Sequence, residues 1–141
     1  MDKQKLQARV ANEVPRASLL VVSKHVLSDD AVKALMASAE RLGHGESVAF
    51  LDVSGFEASQ ILLAVHKCDP WCVVALDEQA INELKAAFGE AALSFAPDKT
   101  VEARGYLLVA VPGFEECLHD QAAKRVAWGR LKAAAYPKVP Y

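Results

Sequence analysis

Polar side chains that could act on a substrate stand at the ends of apolar runs in the sequence. One run is followed directly by Ser23, Lys24 and His25, and a second run carries Asp52 near its end. A carboxylate can hold or deprotonate a water molecule, an imidazole can transfer a proton, and an ammonium group stabilises developing negative charge. If the fold brings them together, these groups could support hydrolysis, so Asp52, His25 and Lys24 are the catalytic candidates.

Short motifs that mark metal, cofactor or nucleophile sites are missing from the sequence. It has no GxGxxG segment, no Walker phosphate loop, no GxSxG and no HExxH. The residue types that most often bind metals are four histidines and three cysteines, His25, His44, His66, His119, Cys68, Cys72 and Cys117. None of them shows the pairing typical of a zinc site. We predict no metal, no cofactor, and the reduced thiols of a cytoplasmic protein.

Composition and charge limit the functions that this chain can have. The chain has 141 residues, of which 52% are hydrophobic and 24% charged, and its net charge is −2. These values predict one folded domain. No apolar run in the sequence is long enough to cross a membrane. Residues 17–119 carry 7 basic and 15 acidic residues. Nucleic acid binding is therefore expected to be weak or absent, and any binding is expected near the C-terminal end, through Lys124, Arg125, Arg130 and Lys132.

Alternating strands and helices must position these side chains. Continuous apolar runs predict buried strands at 18–22, 47–53, 71–76 and 106–111, and residues 100–103 form a hairpin with the last. Apolar residues at helical spacing predict helices after Ser28, over 57–67, after Asp77 and over 115–135. In the last helix the core positions are expected to be Leu118, Ala122, Val126 and Leu131.

This order predicts a three-layer α/β/α domain with a four-stranded, mostly parallel sheet. The domain should span residues 17–136, after an N-terminal helix or arm at 1–16 and before a tail at 137–141. Ligands of such sheets bind at the carboxyl ends of the strands. The residues expected to line a cleft there, with two phenylalanines as an apolar plane for a base, are Ser23, Ser54, Phe56, Asp77, Gly113 and Phe114.

Three ordered segments of the chain match motifs of a known family. Residues 69–80, with Leu84 and Gly89, resemble the segment RPRVIVALGATAA…LLG of bacterial uracil-DNA glycosylases of the iron–sulfur type. Residues 111–114, followed by Leu118 and segments 124–125 and 128–132, resemble HPSxLL…KRxxWxDLK. Residues 34–42 and 48–53 are similar to LLxxLLxxIGL…VYITNVVK. The resemblance covers roughly residues 17–134 and implies the three-layer fold of that superfamily.

The departures from that family fall on its catalytic positions. Lys24 stands where the family positions the attacking water, and an ammonium group there would repel a forming oxocarbenium ion. Gly113 and its neighbours replace the histidine that serves the leaving group, and three cysteines do not match the four cluster ligands. Asp52 replaces the asparagine that reads uracil, and a carboxylate can only accept hydrogen bonds, as from a cytosine amino group.

Three functions are therefore weighed for this chain. The first is a catalytically silent domain that binds another protein in DNA replication or repair, as does the psi subunit of bacterial DNA polymerase III, which resembles glycosylases in fold. The alternative is a divergent DNA glycosylase or nucleotide-processing hydrolase that uses Asp52 with His25 or Lys24. A nucleotide-binding module is disfavoured because Asp52, Asp77 and Glu78 would repel phosphate.

Overall fold

A six-stranded sheet forms the centre of the computed structural model, which describes residues 7–8 and 13–136. The strands are β1 (Gln7–Ala8), β2 (Leu19–Ser23), β3 (Val48–Asp52), β4 (Cys72–Ala75), β5 (Val101–Ala103) and β6 (Tyr106–Ala110). Their order across the sheet is β1-β3-β2-β4-β6-β5. Every neighbouring pair is parallel except β5 and β6, which form an antiparallel hairpin.

The central strands are buried because helices cover both faces of the sheet. All five residues of β2 and all four of β4 are buried, which explains their continuous apolar sequences. The helices are α1 (Asp29–Arg41), α2 (Ala58–Cys68), α3 (Glu78–Phe88), α4 (Phe114–Cys117) and α5 (Gln121–Leu131). Among these described helices, none is both long enough and apolar enough to cross a membrane.

Side-chain caps fix where the helices begin. The side chain of Ser28 accepts a hydrogen bond from the Ala31 amide at the start of α1, and Asp77 caps α3 through the Ala80 amide. Glu57 and Gln60 form a reciprocal capping box at the start of α2. These caps set the direction in which each helix leaves the carboxyl edge of the sheet.

Two apolar layers hold the helices against the sheet. On one face, alternate strand residues such as Leu20 and Val22 pack with the inner residues of α2 and α3. On the other face, Leu19 and Val21 pack with residues of α1, α4 and α5. The protein is therefore an α/β domain with helices on both sides of a mostly parallel sheet, as predicted.

The number of strands differs from the predicted four. Strand β5 is a full member of the sheet, paired through Val101↔Leu108, so the domain contains five strands of three to five residues. The two-residue β1 adds a sixth, with Gln7 opposite Phe50. Val14 is also buried in the core. The remainder of the expected N-terminal helix or arm, residues 1–6 and 9–12, and the expected tail at 137–141 lie outside the described residues.

The predicted final helix is two helices with a break between them. Asp120 caps α5 through the Ala122 amide, so α4 and α5 are separate. This break rotates the buried face of α5. Ala127 and Leu131 are buried, whereas Ala122 and Val126, two expected core positions, are exposed.

Trp128 contributes to the contact between α5 and α1. Its ring is partly buried against the apolar layer, and the Arg41 guanidinium lies 4.9 Å from the ring centroid. We expect Trp128→Ala to lower the free energy of unfolding by about 2 kcal/mol, less than for a fully buried tryptophan. Urea denaturation followed by circular dichroism measures the change. Val126→Ala on the same helix is the control and should change stability by less than about 0.5 kcal/mol, because Val126 is exposed; equal losses would contradict the packing role.

Candidate functional site

The carboxyl ends of the parallel strands bring most of the predicted site residues to one edge of the sheet. Ser23 and Asp52 are direct register partners at the ends of β2 and β3. The Leu76 amide bonds the Val22 carbonyl, which places Asp77 beside the same edge. The loop that follows β2 carries Lys24 and His25 across this edge. The sequence therefore identified which residues share the edge.

Asp52 is engaged by its own turn. Its side chain is 6% exposed, and Oδ1 accepts hydrogen bonds from the Ser54 amide at 3.0 Å and from the Ser54 hydroxyl at 2.6 Å. The same hydroxyl lies 2.9 Å from the Lys24 carbonyl oxygen. Such a bond pattern is the side-chain turn that aspartate commonly forms at the end of a strand. Asp52 and Ser54 thus close the β3–α2 loop against the loop after β2.

Asp77 organises the loop after β2 from the neighbouring strand. Its Oδ1 caps α3 by accepting from the Ala80 amide at 2.7 Å. Its Oδ2 accepts from the Lys24 amide at 3.0 Å and lies 3.3 Å from His25 Nδ1. The Lys24 ammonium group extends away to Glu83 on α3, at 2.7 Å. One carboxylate therefore joins a helix start, a loop backbone and an imidazole.

His25 lies between two carboxylates. Its Nδ1 faces Asp77, and its Nε2 lies 3.3 Å from Glu115 Oε2 on α4. The other oxygen of Glu115 accepts from the Ser28 amide at 2.6 Å, which ties α4 to the start of α1. Burial opposes ionisation of Glu115, but the Ser28 hydrogen bonds and His25 together hold the pKa of Glu115 below its ordinary 4.5.

The two phenylalanines expected to form an apolar plane lie in different layers. Phe114 is buried at 4% exposure with the layer of α1, α4 and α5. Phe56 packs, partly buried, against the layer of α2 and α3. Gly113 contributes no side chain, and its φ of +72° provides the turn into α4. The two rings therefore pack in different apolar layers and do not form one shared plane in this structure.

Chemically, this edge is a hydrogen-bond network in which the His25 side chain stays 46% exposed and the Lys24 side chain 34% exposed. Within the described part of the chain, every buried side-chain nitrogen or oxygen atom has a hydrogen-bond partner. Ser23 is fully buried, and its hydroxyl donates to the His25 carbonyl at 2.6 Å. Sequence reasoning missed Glu83 and Glu115, since nothing near them in the sequence shows that they face Lys24 and His25. The groups named as catalytic candidates bond to protein atoms and hold three loops together.

The cysteines do not converge on one point. Cys68 packs in the layer of α2 and α3, whereas Cys72 and Cys117 pack in the opposite layer. Burial raises the pKa of the Cys68 thiol to about 11, and burial also raises the pKa of Cys72 and Cys117. Across residues 7–8 and 13–136, no group of three or more His, Cys, Asp or Glu side chains has an arrangement that could hold a metal ion.

A second polar cluster lies at the amino edge of the sheet and was not predicted from the sequence. His44 is 5% exposed; its Nδ1 lies 2.7 Å from the Ser18 hydroxyl and its Nε2 lies 2.6 Å from the Ala134 carbonyl. The Ala134 carbonyl oxygen can only accept a hydrogen bond, so the proton of the neutral His44 ring is on Nε2. Nδ1 then accepts a hydrogen bond from the Ser18 hydroxyl. Beside it, a cavity of about 440 Å³ is lined in part by Trp71 and Tyr136. His44 thus fastens the segment after α5 to the start of β2.

Acidification should destabilise the protein through His44. Burial lowers the pKa of His44 below 6.5, although the Ala134 hydrogen bond raises it. The unfolded chain therefore takes up this proton first as the pH falls below about 6.5, and stability decreases by at most about 1.4 kcal/mol per pH unit. Urea denaturation at several pH values between 7.5 and 5 should give a smaller slope for His44→Gln than for wild type. Equal slopes would contradict the role of His44.

The basic residues near the C-terminal end lie on or just after α5. Lys124, Arg125 and Lys132 are exposed, while Arg130 lies 3.4 Å from the Asp98 carboxylate. We expect any binding to duplex DNA to be weaker than about 1 μM at physiological salt and to fall steeply with added salt. Fluorescence anisotropy with a labelled duplex measures this, with Arg125→Glu weakening any binding and Lys67→Glu on α2 as control. Submicromolar binding at physiological salt would contradict the expectation.

Comparison with known proteins adds no family assignment. No protein-family model matches the chain, and no curated protein matches it significantly.

Proposed function

We propose that this protein is a catalytically silent uracil-DNA glycosylase-like domain that binds another protein, as an accessory module in DNA replication or repair in the cytoplasm. The observation that carries the proposal is the hydrogen-bond and ion-pair network at the carboxyl edge of the sheet. There the side chains of Asp52, Lys24 and His25 all bond to protein atoms. A hydrolytic site needs a base or a water-holding group that is directed at substrate.

The individual contacts support a structural role for each candidate. Asp52 Oδ1 accepts two hydrogen bonds from Ser54, so that oxygen is directed into its own turn and away from solvent. The Lys24 ammonium group pairs with Glu83. Both ring nitrogens of His25 face carboxylates, which makes this ring a bridge between α3 and α4. A proton-transferring histidine needs one ring nitrogen directed at substrate.

The position that serves the leaving group in the glycosylases supports the same proposal. By the resemblance in the sequence, Gly113 falls at this position in place of a histidine, and its positive φ favours glycine for conformational reasons. The two candidate stacking rings lie on opposite faces of the sheet. Base capture requires stacking on an aromatic or apolar plane together with convergent polar groups. The architecture of the domain, helices on both faces of a mostly parallel sheet, accords with the resemblance noted in the sequence.

Identification of a partner tests this proposal. A version tagged at its own gene is purified from native cells after mild crosslinking, and co-purifying proteins are identified by mass spectrometry. We expect one partner from replication or repair to reassemble with this chain when both are purified separately, at a fixed stoichiometry measured by analytical ultracentrifugation. The same tag on an unrelated chain is the control. A chain that co-purifies with no such partner, or whose candidates fail to reassemble, would overturn the proposal.

A further inference from the structure

A groove between α1 and the C-terminal helices is separate from the network at the carboxyl edge. It encloses about 270 Å³ and is lined mainly by apolar side chains. Among them, Phe114 forms part of the buried layer, while Leu118 and Trp128 are partly buried against it. The groove also has Ala34 and Ala127 in its wall, whose short side chains leave space that the larger neighbours enclose.

The charged residues that line this groove are both basic. They are Arg41 on α1 and Lys124 on α5. The Arg41 guanidinium carbon lies 4.9 Å from the Trp128 ring centroid, within cation–π distance. Lys124 is exposed. A ligand with an apolar group in the groove and carboxylates beside it would match both properties of this surface.

The polar groups of the groove favour a protein side chain over a small molecule. Small-molecule and cofactor sites usually carry several convergent polar groups. In this groove the Ser38 hydroxyl already donates to the Ala34 carbonyl at 2.8 Å. Protein interfaces commonly place one large apolar side chain in such a pocket and surround it with polar contacts.

We propose that this groove binds a partner polypeptide segment that inserts a large apolar side chain and places acidic residues beside Arg41 and Lys124. This inference builds on the proposed function, because it names the chemistry of the partner that an accessory module would bind. The apolar side chain would contact Trp128 and Phe114, and the acidic residues would supply orientation.

Selection from a peptide library tests the groove directly. A phage-displayed library of random 12-residue peptides is selected on the intact, immobilised protein. We expect the enriched peptides to combine Leu, Ile, Met, Phe or Trp with neighbouring Asp or Glu. Synthetic versions are then measured by fluorescence anisotropy. Enrichment of neutral or basic peptides, or no enrichment, would overturn the inference.

Matched variants assign the binding to this groove. Lys124→Glu reverses one of the two lining charges and should weaken binding of the enriched peptides at least tenfold. Lys67→Glu, which makes the same change at an exposed position on α2, should change it less than twofold. Ala34→Phe fills the groove and should abolish binding; Ala34→Ser, a smaller change at the same site, shows whether the helix tolerates substitution there. Unchanged binding in Lys124→Glu and in a folded Ala34→Phe would overturn the inference.

Other occupants produce different results. Direct binding of dodecanoate, measured by calorimetry, without any peptide enrichment would assign the groove to small anionic amphiphiles and overturn the inference. Self-association that Lys124→Glu abolishes would assign it to a second copy of this chain, with the same consequence. If a native partner binds wild type and Lys124→Glu equally, the groove inference fails and the proposed function stands. If peptides bind but no native protein partner exists, the proposed function fails instead.

Discussion

Replacing Asp77 with alanine is expected to lower the free energy of unfolding by about 3 kcal/mol. Loss of an N-terminal helix cap costs about 1 kcal/mol, and leaving a partly buried amide such as that of Lys24 without its acceptor costs about 1–3 kcal/mol more. The substitution also removes one of the two carboxylates that face His25. Because Asp77 joins three elements, its removal should loosen the whole carboxyl edge. Urea denaturation followed by tryptophan fluorescence and circular dichroism measures the change.

Two further variants separate the contributions of Asp77. Asp77→Asn retains an oxygen that can cap α3 but replaces the other oxygen with an amide group, which cannot accept from the Lys24 amide. We expect its stability to lie between those of wild type and Asp77→Ala. Asp98→Ala removes an aspartate whose side chain is 93% exposed and should change stability by less than about 0.5 kcal/mol. Equal stability of Asp77→Ala and Asp98→Ala would contradict the organising role of Asp77.

The parallel sheet could be predicted because its sequence signal is local. Strands buried on both faces need continuous apolar residues, and β2 and β4 have them. The caps are local too, since Ser28 and Asp77 each bond an amide three residues later. Once parallel strands separated by helices are predicted, the edge at which Ser23 and Asp52 meet follows from topology alone.

The break between α4 and α5 was missed because its signal is ambiguous. Leu118 begins an apolar spacing that continues through Ala122 and Val126 only if one helix runs unbroken through Asp120. Aspartate at that position caps a new helix instead. The alanine-rich sequence of α5 offers apolar residues on more than one face, so periodicity did not correct the error. The groove proposed as a binding site depends on this register and could not be derived from the sequence.

Pairing between side chains of the site depends on contacts between distant residues. His25 and Glu115 are 90 positions apart, and Lys24 and Glu83 are 59 apart. Neither pair shows a pattern that a single sequence can reveal. The sequence therefore predicted which residues share the carboxyl edge but could not show that His25 and Lys24 pair with Glu115 and Glu83. These pairings decide whether the same residues are interpreted as catalytic or as structural.

The protein is expected to release neither uracil nor cytosine from DNA above the rate of a protein-free control. Removal of one preorganised donor from an active site typically costs about 10²–10³ in rate. Removal of a proton-transferring or water-positioning group typically costs about 10²–10⁴. If the resemblance to the glycosylases holds, Lys24 and Gly113 replace the residues that supply these functions, and the Lys24 ammonium group is paired with Glu83. The combined losses should reduce any glycosylase activity to background, although such losses are not additive.

Labelled single- and double-stranded oligonucleotides at large protein excess provide the assay, with Asp52→Ala and His25→Ala tested in parallel. Cytosine is included because the Asp52 carboxylate accepts hydrogen bonds, as an exocyclic amino group would require. Base release that disappears in either variant while the variant stays folded would show that this edge opens to bind a nucleotide, and it would overturn the proposed non-catalytic function. Base release that both variants retain would show that the activity does not come from the carboxyl edge. Any site at this edge would be built from the loops that the hydrogen bonds of Asp52 and His25 hold in place.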